Sequence, residues 1–416
     1  MSRIVPEAPT LAIPTAKLER FEIMDVLRGF ALFGVLIANL AELGGADILA
    51  TSTQLEALSS APTDRVVTWL LDLFVFDKAN TLFAVLFGMG FWIQMERLSA
   101  RGIAFGSLYL RRISLLLGLG LLHLFGWFAW DILHLYGAAA FILYFSRNLS
   151  DRTLFWVGMA LLLFGRPLVT WLGAVTGVST PALDIAFSEE AILARQAAAV
   201  AGDAFAWVST MNHQVWFDWV LGGTLLAWFP YVIGRFYIGA WLARQGWIQS
   251  SERHLSTVKS LLLLPLISGL ALQIISQILG GAPEAALGGA AHLIATLLQA
   301  AATPLIAAGY VCGLILLVNS EATRWLVRAF APVGQMALTN YLIQSPIIIL
   351  ILTGIGPGFA LAGHAGSTTY TLLSVIVFAA QMVFSAIWMS VFAYGPAEWV
   401  WRTLTYGSRP KLRRAA

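Results

Sequence analysis

The feature that most constrains this chain is a run of about twenty mostly apolar residues that recurs along it, bounded each time by charged or loop-forming residues. The runs lie near residues 24–43, 79–97, 112–130, 132–147, 153–175, 220–243, 258–279, 290–318, 333–354 and 369–393. A helix rises ~1.5 Å per residue, so each run is about long enough to cross a hydrocarbon layer of roughly 30 Å. Backbone groups in that layer must bond within the protein, which leaves α-helices or closed barrels, and the runs are too long and too continuous for barrel strands. Composition agrees: 59% of the 416 residues are hydrophobic and 11% are charged, against about 25% charged in soluble domains. Water is the wrong solvent for most of this surface. The expected fold is all-α, a polytopic membrane helix bundle of about ten transmembrane helices with cytoplasmic N and C termini.

Loop charges support that count, because cytoplasmic loops collect Lys and Arg. One set of alternate loops holds Arg97, Arg101, Arg111 and Arg112; Arg147 and Arg152; Arg244, Arg253 and Lys259; Arg324 and Arg328; and the tail with Arg409, Lys411, Arg413 and Arg414. The other set carries Asp47 and Glu56, then Asp131, then Asp184, Glu189, Glu190 and Asp203 with only Arg195, then Glu284, then a stretch around His364. Residues 1–22 read as a disordered cytoplasmic lead, 23–406 as one bundle, and 407–416 as a basic cytoplasmic tail. The long connection 176–219 reads as an external loop in which Ser188, followed by two glutamates, starts an amphipathic helix. Cys312 is the single cysteine, so no intramolecular disulfide forms, and a net charge of +3 is too small to imply a nucleic-acid partner. No zinc spacing, phosphate-binding loop or serine-hydrolase elbow occurs, and no metal is expected. The strings GMG and GLG inside runs read as close-packing glycines.

Ionisable groups within spans are expensive and face the bundle interior, which makes them candidates for function. Arg28 and Asn39 stand eleven residues apart in the first span, on nearly one face and about 16 Å apart along the axis. Glu42 extends that stripe. Arg112 and His123 repeat the spacing in the third span. Asp131 precedes His134 by three residues, an arrangement that orients an imidazole for general-base work. Plainer roles exist for each: Arg28 as a snorkelling arginine, Asn39 as interhelical glue, Asp131 as a helix cap. Arg166 and Arg235 fall well inside the fifth and sixth spans and need a substrate anion, a carboxylate such as Asp218 or Asp72, or backbone carbonyls to offset them. Asn340 and Gln344 lie one turn apart in the ninth span, suited to interhelical hydrogen bonds or substrate contact.

Three strings resemble the YeiB-like bacterial multi-pass membrane proteins: MDVLRGFALFGVLIAN from Met24, PVGQMALTNYLIQS from Pro332, and YGPAEWVWRTLTYG from Tyr394. FDKANTLFAVLFGMGF and RRISLLLGLGLLHLFGWFAWDILHLYG are similar to that family's second and third-to-fourth spans. Gln335 stands where the family commonly has arginine, and Ala79 where an aromatic is usual. The first-span string more distantly resembles the transmembrane acyltransferases, including acyltransferase family three and heparan glucosaminide acetyltransferase. Arg28 matches their first-helix arginine. Asn39 falls where acyltransferase family three has its histidine, and the loop 44–63 holds no histidine, so the catalytic histidine of those enzymes has no counterpart.

The resemblance implies a protein of the bacterial cytoplasmic membrane that moves an acyl group from cytoplasmic acyl-CoA to an acceptor on the external face. On that reading Arg28, Arg111 and Arg112 hold the phosphates of the donor, and His123 with Asp131 deprotonates the acceptor, with His134 and Asn39 as further candidates. The expected partners are membrane lipids and a small-molecule, glycan or lipid acceptor; a homodimer is compatible. The competing reading is a transporter of a small organic anion or lipid, held by Arg166 and Arg235. A non-catalytic envelope or assembly protein is the third.

Overall fold

The computed structural model describes residues 21–45, 48–102, 105–281 and 288–414. Most of the expected N-terminal lead, together with Asp47 and Glu284, lies outside the described residues. Among the described residues the chain is helical, with no strand beyond an isolated bridge between Phe392 and Arg413.

Ten helices correspond to the ten apolar runs. They are α1 (Glu22–Gly45), α2 (Lys78–Ala100), α3 (Phe105–Gly126), α4 (Leu133–Phe145) and α5 (Asp151–Thr176), then α6 (Thr224–Gln245), α7 (Leu255–Gly280), α8 (Ala290–Val318), α9 (Ala337–Leu352) and α10 (Ser367–Val391). Seven of these, α1, α3, α5, α6, α7, α8 and α10, are long and apolar enough to cross a membrane. An eighth crossing forms if the helix Arg324–Gln335 and α9, bent by 83° at Met336, make one broken span. The other two differ for visible reasons. α2 has the length but carries Asn80, Thr81, Gln94 and Glu96, and α4 has 13 residues, about 20 Å of rise.

Burial separates the interior helix from the rim. In its most apolar stretch α1 is 78% buried, whereas α7 is 17% buried and turns Leu263, Leu264, Ile267 and Ile278 outward. α1 is therefore the axis of the bundle, flanked by α2, α10 and the helix Arg324–Gln335, and α7 pairs with α8 as an antiparallel hairpin at the rim. α2 and α6 cross at Gly88 and Gly239, where an added Cβ would overlap the facing backbone at Phe236 and Val85. The GMG string is a packing device, as its composition suggests.

The connection from 176 onward holds three short helices, Thr180–Ala186, Glu189–Ala201 and Ala204–Gln214. Ser188 caps the second, its Oγ accepting from the Ala191 N–H at 3.2 Å. Buried Arg195 anchors this layer: its guanidinium donates to the carbonyls of Ile48 (2.6 Å) and Ala186 (3.0 Å) and to Gln214 Oε1 (2.8 Å). The layer thus sits over the Gly45 end of α1.

Candidate functional site

Two features meet between α3, α4 and α9: a buried polar cluster and the inner end of a basic cavity. The cluster begins with a glycine. A Cβ at Gly120 on α3 would overlap the backbone of Leu133 and His134, so glycine alone lets the start of α4 lie against α3 one turn from His123. The short turn between these helices then places Asp131 between two histidines. Asp131 Oδ1 accepts from His123 Nδ1 at 2.8 Å, and Oδ2 accepts from His134 Nδ1 at 2.9 Å and from the His134 backbone N–H at 2.8 Å. The carboxylate is at once a helix cap and the orienter of two rings.

An ionised carboxylate only accepts, so Nδ1 of each histidine carries a proton, and in the neutral imidazole the Nε2 then presents a lone pair. His123 Nε2 lies 2.7 Å from Ser345 Oγ on α9, and by that reasoning Ser345 is the donor. His134 Nε2 has no hydrogen-bond partner; its ring lies 5.5 Å from that of Trp219. Tyr341, one turn before Ser345, closes the group: its hydroxyl accepts from the Ile132 N–H at 3.2 Å and donates to Asp131 Oδ1 at 3.4 Å. His123 and Asp131 are 0% exposed and Ser345 1%. Sequence reasoning found both histidines and the aspartate but missed Ser345 and Tyr341. Both lie inside the ninth-span string, yet nothing in spacing joins residue 123 to residue 345.

The cavity, about 330 Å³, opens at the other end of α3. Five arginines, Arg28, Arg97, Arg101, Arg112 and Arg402, line it against two carboxylates, Asp25 and Glu398. Arg28 pairs with Asp25 at 3.3 Å, and Arg112 stacks over the Trp401 ring at 4.2 Å. Glu398, on the helix Pro396–Tyr406, accepts from the backbone N–H groups of Leu338 and Thr339 at 2.7 and 3.2 Å, which caps the start of α9. Burial pushes its carboxyl above the ordinary value of 4.5, while the Thr339 hydroxyl and the backbone donors oppose the rise. Inward the wall turns apolar through Leu116, Leu133 and Tyr136 and ends at Tyr341, the residue bonded to Asp131. Arg111, expected beside Arg112, is exposed and does not line this cavity.

Arg166 and Arg235 belong to a second cluster, built on a residue absent from the sequence reading. Asp77 precedes α2 in a left-handed conformation, φ 62°, and receives Arg166 Nη1 at 3.1 Å on both oxygens and Gln299 Nε2 at 3.2 Å. Neighbouring Lys78, fully buried, donates to the Asp72 carbonyl (2.6 Å) and Gln273 Oε1 (2.9 Å). Arg235 is 0% exposed and lies over the Tyr231 ring at 3.4 Å, with none of its three guanidinium nitrogens hydrogen-bonded. The carboxylate that receives Arg166 is thus Asp77, while Asp218 accepts from Thr224 and Gln214. Asn340 donates to Ser385 and Gln344 to Gln381, so both join α9 to α10. Asn39 is buried on α1 and joins none of the hydrogen bonds of the histidine cluster.

Long apolar helices around a polar interior, with a basic cavity at one end, define a multi-pass helical membrane protein. The chain belongs to the YeiB-like family. It is similar to "Uncharacterized protein YeiB" of Escherichia coli (strain K12), at 31% identity over 93% of this chain and 97% of that one. It is also similar to "Uncharacterized protein YxaH" of Bacillus subtilis (strain 168), at 30% identity over 94% of this chain and 96% of that one. Residues 242–408 match the family described as "Protein of unknown function (DUF418)".

Proposed function

We propose that the chain is an acyltransferase of the bacterial cytoplasmic membrane, crossing it ten times with both termini in the cytoplasm, and that it draws acyl-CoA into the arginine-lined cavity. One observation carries this reading: a cavity with five arginines at its mouth and apolar walls within ends against Tyr341, which is bonded to the aspartate that orients His123. Guanidinium forks suit phosphates, the less charged wall within takes the pantetheine arm that separates them from the thioester, and the volume falls within the roughly 300–1,000 Å³ of small-molecule sites. Leu116, on the wall, and His123 stand seven residues apart on α3, about 10 Å. The donor carbonyl then reaches the histidine cluster while the phosphates stay at the mouth. His123 acts as the base, Asp131 fixes its tautomer, and the acceptor arrives from the face covered by the helices between 180 and 214.

The test supplies purified protein with labelled acetyl-CoA and compares wild type with His123→Ala for CoA release and acyl transfer to extracted membrane lipids and glycans. Loss of turnover in the variant is expected; equal turnover removes His123 as the base. A second reading, transport of a small organic anion or lipid, draws on one observation, the buried guanidinium of Arg235 without a hydrogen-bond partner. Anion uptake into proteoliposomes that is lost in Arg235→Gln supports it, and unchanged uptake removes its basis.

A further inference from the structure

We propose that Ser345 is the nucleophile of this site and carries the acyl group as an ester between two half-reactions, an inference that rests on the acyl-transfer reading above. Its ground is the pairing of Ser345 with His123 and Asp131, at 2.7 and 2.8 Å, all three buried. The Nε2 lone pair of His123 is already occupied by the Ser345 hydroxyl, so the first proton this base takes is that of Ser345, and an acceptor's proton can reach it only once Ser345 is acylated. A serine, a histidine and a carboxylate in that order form the arrangement that activates a hydroxyl for acyl transfer on unrelated folds.

Ser345 also forgoes the usual outlet for a hydroxyl in a helix, the carbonyl four residues earlier, which Ser268 and Ser374 use. Like Ser276, which donates to the Ala295 carbonyl, it turns to another helix, and its partner there is an imidazole. Its approach is also defined, since Tyr341 stands one turn before it, about 6 Å along α9, and forms the inner wall of the basic cavity. Ser345 itself does not line the cavity, so the proposed reaction requires that ring to turn aside.

In the first half-reaction Ser345 Oγ bonds to the thioester carbonyl carbon while its proton passes to His123 Nε2. The carbon–sulfur bond breaks, and the thiolate leaves with that proton as CoA thiol. Ser345 is now an ester and donates nothing, so His123 Nε2 is open. In the second half an acceptor hydroxyl or amine attacks the ester carbonyl and yields its proton to His123. The Ser345 Oγ–carbon bond breaks, and the proton returns to Oγ. No oxidant, reductant or further reactant enters.

The experiment uses the full chain in lipid nanodiscs with radiolabelled acetyl-, octanoyl- and palmitoyl-CoA, quenched in acid, denatured and mapped by mass spectrometry, beside labelling with an alkyl fluorophosphonate. Expected are an acyl group on Ser345 resistant to neutral but not alkaline hydroxylamine, and a loss of label of more than about a hundredfold in Ser345→Ala and His123→Ala. Ser345→Cys should yield a thioester released by neutral hydroxylamine, a change of lability that a packing role does not produce. If wild type releases CoA with no label on Ser345 and Ser345→Ala releases it as fast, the covalent step is overturned and the acyl-transfer reading stands. If no acyl-CoA is consumed but the fluorophosphonate modifies Ser345 only when His123 is present, the nucleophile stands and CoA as donor is overturned. With neither reaction at Ser345, this inference falls.

Discussion

Gly120 shows how closely a single position sets the histidine cluster. Helix propensity favours alanine over glycine by about 1 kcal/mol, so a Gly→Ala change on a helix should stabilise unless space forbids it. Gly118 and Gly120 lie two residues apart on α3, and they separate these effects: a Cβ at Gly118 meets nothing, whereas one at Gly120 meets the backbone where α4 begins. Gly118→Ala should therefore be neutral or slightly stabilising, and Gly120→Ala should lower stability by about 1–3 kcal/mol through overpacking and displace His134. Thermal unfolding of both variants in one detergent checks the pair; equal shifts would show that α4 does not depend on that contact. The same neighbourhood marks what was legible beforehand. Asp131 and His134 are three residues apart, so local spacing exposed their bond. The bond from His123 to Ser345 joins residues 222 apart, and only tertiary packing makes it. Asp77 was equally hidden, because its left-handed backbone is a property of the turn before α2 and leaves no mark in residue type.

At the scale of elements, the helix Pro396–Tyr406 does more than close the sequence motif that contains it. Its Glu398 caps α9 and lines the basic cavity, which couples the start of the helix bearing Ser345 to the charge state of one carboxyl. Burial raises that carboxyl's folded-state value above its unfolded 4.5, so the protonated form favours the folded protein. This contribution is complete below pH 4.5 and is lost as pH rises through the folded value. Thermal stability measured from pH 4.5 upward should accordingly decline more in wild type than in Glu398→Gln, which keeps an acceptor for the Leu338 N–H. Parallel profiles would show that another group governs this range. Apolar runs made the ten helices readable as elements, but not their lengths in space: neither the 83° bend at Met336 nor the 13-residue length of α4 shows in the runs that contain them. The positive-inside pattern similarly drew attention to Arg112 and Arg111 together, although one faces the cavity and the other faces outward.

For the whole molecule, the proposed topology places the Ser188-capped layer and the basic tail on opposite sides of the membrane. Single cysteines introduced at Ala204 and at Ser408, in a Cys312→Ala background, should react with an impermeant maleimide from opposite faces of intact and inverted vesicles. Labelling of both from one face would overturn the ten-span topology, and labelling of the Ser408 site from outside would reverse the assignment of the cavity mouth to the cytoplasm, and acyl-CoA with it.

The enclosure of α1 has a consequence for biosynthesis. Gly29 packs against the Phe330 backbone, and Gly334 against that of Asp25, so α1 finds part of its final surroundings only some 300 residues after it is made. At ribosomal rates of about 5–20 residues per second that interval is roughly 15 s to 1 min. Throughout it Asn39 and the Asp25–Arg28 pair, which forms within α1 itself, need interim shelter, from headgroups, translocon or chaperone, before the helices that enclose them emerge. A ribosome stalled before Phe330 would leave those groups facing hydrocarbon, a ready mark for membrane proteolysis of the unfinished chain.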